Sequence, residues 1–106
     1  MERKREHKGR SVKDPIVWID LEMTGLDTNR DRIIEIAVIV TGPELRKRKG
    51  PDIVIKCPKK VLDGMGEWCM NTFTASGLLE RVKASKITMR DAETRVLRFL
   101  RDECGI

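Results

Sequence analysis

The 106 residues carry 22 Lys and Arg against 17 Asp and Glu, a formal charge of +5, with 40% hydrophobic and 37% charged residues. That length allows one modest core, and no apolar run approaches the ~20 residues of a bilayer span, so a membrane span is excluded. The basic balance favours a polyanionic partner without choosing between nucleic acid and anionic lipid. Three cysteines, Cys57, Cys69 and Cys104, are odd in number and form no C-x-x-C pair, which argues for a reduced, intracellular protein.

The chain starts MERKREHKGR, charge-dense and without the apolar stretch of a secretory signal. Residues 1–14 read as a basic disordered arm, with a phosphate-binding arm as the other reading. Pro15 then opens a strand over residues 16 to 21, whose run Ile16-Val17-Trp18-Ile19 reads as buried, and Gly25 with Asp27-Thr28-Asn29 supplies a turn. Residues 32–41 form a second strand that is apolar on both faces, hence central and covered on both sides. Gly42-Pro43 breaks it. The basic run 46–49 falls in or beside a hairpin connection, where it is a solvated turn or steers RNA electrostatically, and residues 52–56 resume as a third strand. Short links between the three strands suggest an antiparallel meander.

Helical patterning follows. Residues 65–70 read as a short helical turn, and Thr74 is placed to cap a helix carrying Leu78, Leu79 and Val82 on one face. Thr88 with Asp91 three positions later resembles a capping box for a longer helix with Ala92, Val96, Phe99 and Leu100 on its apolar stripe. Three strands followed by helices make an α+β beginning, or the first half of a mixed sheet.

The chemistry-bearing feature is the pair Asp20 and Glu22 at the end of the first strand. Residues two apart on a strand point to one face, with Cα atoms roughly 6.5 to 7 Å apart, so their carboxylates can converge. Hard divalent cations take such oxygen ligands, and phosphoryl-transfer enzymes use two of them. A bare D-x-E is also compatible with a solvated strand end or a turn cap. Glu35, inside the second strand, reads as a structural carboxylate that finds a hydrogen-bond partner near the site, with a further ligand as the other reading.

WIDLEMTGLD followed by DRIIEIA, then EWC and TASGL, resembles oligoribonuclease, the short-RNA member of the DEDD exonucleases with a histidine base. The resemblance runs from about Ile16 to Leu100 and makes residues 15–106 the N-terminal part of a 3′-to-5′ exonuclease domain. It implies a mixed α/β, ribonuclease-H-like fold and removal of nucleotides from very short single-stranded RNAs. It further implies two Mg²⁺ or Mn²⁺ ions and a homodimer. By position, Asp20 and Glu22 match the first two metal-binding acids and Leu26 a leucine that wedges against the bases. Trp68 matches an aromatic near a base, and Met23 and Thr24 lie where the 3′-terminal ribose is held. Each has a plainer reading: Trp68 and Leu26 fill core, and Ser76 either presents its hydroxyl to a phosphate or only caps a helix.

Two departures from the family stand out. Phe73 occupies a stretch where a histidine is common. The family's third and fourth acids and its histidine base come after the helix that matches residues 88–104, whereas this chain stops at Ile106, and His7 lies in the arm. The expectation is a truncated form with an open edge on its most apolar strand, weak or inactive alone. The alternative is a non-catalytic RNA-binding or subunit-interaction fragment. Cytoplasm, mitochondrion and nucleus all suit the resemblance.

Overall fold

A computed structural model describes residues 11–105. The three strands are β1 (Ile16–Met23), β2 (Ile33–Thr41) and β3 (Lys47–Val54), and four helices follow: α1 (Lys59–Asp63), α2 (Glu67–Ser76), α3 (Leu78–Ala84) and α4 (Met89–Cys104). The sheet order is β1-β2-β3, antiparallel throughout, so the mixed α/β meander anticipated from the sequence is the one observed.

β2 is central, paired on both sides, and its Ile34, Val38 and Val40 are at most 1% exposed. The register slips between Glu22, opposite Glu35, and Met23, opposite Ile33, leaving Ile34 as an extra residue on β2. Such a bulge turns two successive side chains toward one face. Ile34 accordingly joins Leu62, Met65, Phe73, Leu78, Leu79 and Val82 in a core beneath α2 and α3. Ile33 and Ile36 instead pack with Ile53, Ile55 and Ala92 beneath α4.

The apolar run of β1 is not buried. Trp18 and Ile19 are each 52% exposed, and Ile16 and Val17 are exposed as well. The reason is topological: among the described residues β1 pairs along one side only, and the helices lie over the other strands, α4 on β3 and β2 and α3 on β3. The Trp18 indole N–H finds a local partner in Thr41 Oγ1 at 3.0 Å.

β3 starts earlier than the composition suggests. Lys47, Arg48 and Lys49 belong to the strand, and the connection is the short turn closed by Leu45 N–H donating to Gly42 O. Alternation resolves the apparent conflict: Lys47 and Lys49 point to solvent, while Arg48 turns inward to meet Glu103 at 2.9 Å. Pro51 is tolerated on this edge strand at a break in the β2–β3 register between Ala37 and Ile39.

The helix boundaries also need correction. Thr74 lies inside α2, which begins at Glu67 and ends at Gly77 in the left-handed conformation (φ 84°). Gly77 separates α2 from α3 because a residue with a Cβ resists that backbone angle. α1 carries no periodic signal and was not anticipated. Thr88 does cap α4, its hydroxyl accepting from Asp91 N–H at 3.0 Å. Of the arm expected over residues 1–14, residues 1–10, His7 among them, lie outside the described residues. Val12 is buried and donates its N–H to Glu103 O at 2.7 Å.

Candidate active site

Asp20 and Glu22 stand on one face of β1 by strand alternation, Asp20 exposed and Glu22 half-buried. Across the sheet, Asp20 faces Ala37 and, beyond it, Asp52; Glu22 faces Glu35. Four carboxylates therefore share this face. Burial raises the Glu35 pKa, the charge of Asp52 raises it further, and the Arg81 guanidinium partly offsets both. A hydrogen bond with Asp52 and the charge of Glu22 act in the same upward direction. Glu35 thus takes its partner near the site, whereas Asp52 escaped the sequence reading, because only the β2–β3 register aligns it with Asp20.

The donor set suits a hard cation. Mg²⁺ is held by one or two carboxylates, with water and phosphate oxygens completing its shell. Two neighbouring acids on an open face fit that pattern. Among the described residues, no three acids, cysteines or histidines are grouped to enclose an ion on their own.

Beyond Glu22 the chain enters a turn fixed by Thr24 and Asp31. Thr24 is 1% exposed, and its hydroxyl donates to Asp31 Oδ1 at 2.9 Å while accepting from Arg32 N–H at 3.0 Å. Thr24 N–H donates to Arg32 O at 2.9 Å, and Asp27 N–H donates to Asp31 Oδ2 at 2.9 Å. The Asp27 amide holds the Asp31 carboxyl below its usual range against the opposing effect of burial, helped by the Thr24 hydroxyl and Arg30. A Cβ on Gly25 would collide with that carboxylate, so glycine is required by close approach. The side chain of Thr24 therefore lies beneath the turn rather than facing a ligand.

This turn holds Leu26 outward, 88% exposed. Met23, half-buried, alternates to the face opposite Asp20 and Glu22 and lines a cleft of ≈ 330 Å³ with Leu26 and Ile33. Trp68, on the first turn of α2, is 72% exposed, so neither it nor Leu26 fills core. At the other end of α2, the Ser76 hydroxyl accepts from Leu78 N–H at 3.2 Å and donates to Phe73 O at 3.4 Å, spanning the α2–α3 corner. Phe73 is buried in the core and presents no ring to a ligand.

With this geometry in hand, the comparisons with known proteins are specific. A family model described as Exonuclease, of the RNase T type, matches residues 17–104. The oligoribonuclease of Haemophilus ducreyi is 56% identical over 87 residues, covering 81% of this chain and 48% of the relative. That of Arabidopsis thaliana is 48% identical over 94 residues (88% and 42%), and the mitochondrial oligoribonuclease of Homo sapiens 44% over 96 residues (90% and 40%). The chain spans about half the length of the curated relatives it matches. Since the matched stretch runs from the start of β1 to the end of α4, taking in the acid pair and the turn beside it, the chain belongs to the exonuclease family.

Proposed function

We propose that this chain carries part of the metal site and substrate platform of a 3′-to-5′ exoribonuclease that degrades very short single-stranded RNAs to mononucleotides. The observation that carries this reading is the placement of Asp20 and Glu22 on one open sheet face, followed directly by a braced turn that holds Leu26 in solvent. The two acids hold Mg²⁺ or Mn²⁺, two ions in the complete site and homodimeric assembly of the family. A bound ion neutralises phosphate charge and lowers the pKa of its water.

The remaining residues position substrate. Leu26 and Trp68 offer exposed apolar surface on which bases of any identity can pack. Met23 lines the cleft beneath Leu26, Thr24 fixes the turn, and Ser76 holds the corner between α2 and α3. Mn²⁺ binding followed by water-proton relaxation tests the reading. Asp20→Ala with Glu22→Ala is expected to abolish the saturable component, and binding that survives both substitutions would defeat the proposal.

One observation favours a second reading, a non-catalytic RNA-binding or subunit-interaction fragment. The side of β1 that no other described strand pairs with, where Ile16, Trp18 and Ile19 are exposed, is a surface that another strand can join. RNA binding by the purified chain without any metal-dependent shortening of the RNA would favour it.

A further inference from the structure

We infer that Arg30, Arg32 and Lys60 form a phosphate site for the RNA strand, set between the β1–β2 turn and α1; this rests on the RNA-degrading role proposed above. The three cations line a cavity of ≈ 390 Å³ whose remaining walls are Pro58, Val61 and Gly64. They come from two segments nearly thirty residues apart, so sequence adjacency alone does not bring them together.

Their charges are poorly compensated. Arg30 reaches Asp31 Oδ2 only at 3.6 Å, and that oxygen already accepts from Asp27 N–H. Lys59, next in sequence to Lys60, is neutralised by Asp63 at 2.7 Å, whereas neither Lys60 nor Arg32 has an acid partner among the described residues. Like charges converging on one cavity repel, and an anion between them removes the repulsion. Two guanidinium groups offer planar forks matched to phosphate oxygens, and an ammonium adds a point charge.

Position ties this cavity to the turn that carries Leu26. Both backbone groups of Arg32 are fixed to Thr24, the first residue of the turn that follows β1. Arg32 also lines the cleft that holds Met23 and Leu26. An RNA strand packed against Leu26 can place one of its phosphates among Arg30, Arg32 and Lys60, away from Asp20 and Glu22. These cations therefore bind a phosphate that is not being cleaved.

The test uses the whole chain, with side-chain ¹⁵N NMR of the arginines during titration with inorganic phosphate and, separately, with a uridine tetranucleotide. Saturable shifts of Arg30 and Arg32 are expected with both, at lower concentration for the tetranucleotide. Arg32→Gln with Lys60→Gln should weaken tetranucleotide binding about ten- to a hundred-fold, as expected for lost charged hydrogen bonds. The same pair should reduce the slope of log affinity against log salt by about 0.7, one phosphate contact on a single strand. Arg98→Gln with Lys86→Gln, equally exposed and outside the cavity, should leave both unchanged. Unaltered affinity and slope in the Arg32/Lys60 variant would overturn the inference, as would shifts produced by inorganic phosphate but not by the tetranucleotide. Loss of Mn²⁺ binding in the Asp20/Glu22 variant reports on the nuclease reading separately, so the two ideas fail by different measurements.

Discussion

Thr24→Val isolates the energetics of the turn that carries Leu26. Valine keeps the shape of threonine at a position that is 1% exposed, but removes the hydroxyl that donates to Asp31 and accepts from Arg32 N–H. The Arg32 amide is then left without that acceptor. A part-buried donor left without its acceptor costs about 1–3 kcal/mol, more than the 0.5–1.5 kcal/mol net value of an ordinary hydrogen bond, and the extra apolar surface of valine returns a fraction of it. Urea unfolding near neutral pH, followed by tryptophan emission, should show a loss of about 1–3 kcal/mol with an unchanged denaturant slope. Acidification sharpens the test. The Asp31 pKa is lowered in the folded chain, first by the Asp27 amide and also by the Thr24 hydroxyl. A carboxylate with a depressed folded pKa contributes stability that is complete above its unfolded value, ~3.9, and is lost as pH falls through the folded value. Removing the Thr24 donor shrinks that contribution, so the gap between wild type and variant should narrow below about pH 4. A loss under about 0.5 kcal/mol at neutral pH, or a gap that stays constant into acid, would refute the reasoning.

Gly77→Ala should destabilise by about 1 kcal/mol, read by thermal unfolding, because φ 84° places a Cβ in the disfavoured left-handed region; an unchanged melting temperature would contradict this. Leu78→Ala empties a site that is 2% exposed in the core beneath α2 and α3 and should cost about 2–5 kcal/mol in urea unfolding. Trp18→Lys with Ile19→Lys should lower light scattering of the concentrated chain by charging the open strand, and equal scattering would show that β1 is not where copies associate. Asp20→Ala should lower the affinity of the chain for Mn²⁺ by about ten-fold or more in a relaxation titration, since it removes one of two neighbouring carboxylates, and an unchanged affinity would contradict this.

Much of the site was legible because its determinants are local. Strand alternation alone puts Asp20 and Glu22 on one face, and the capping pair Thr88 and Asp91 marks the start of α4 within a residue. The boundaries of β3 and α2 were misread for a local reason too: three basic residues resemble a solvated turn, and Thr74 resembles a cap, until pairing and packing assign Arg48 to Glu103 and Phe73 to the core.

The sequence by itself determined the placing of three strands ahead of the helices, the acid pair and the kinship to exonucleases, since each rests on residues within a few positions of one another. Only the tertiary structure decided what β1 faces, which carboxylates join the pair and where the loose cations gather. Hydrophobicity states that Trp18 and Ile19 favour burial, but whether they achieve it depends on which strand edges and helices reach them. The alignment of Asp52 with Asp20 and the meeting of Lys60 with Arg32 come from register and packing between distant segments, which no local pattern encodes.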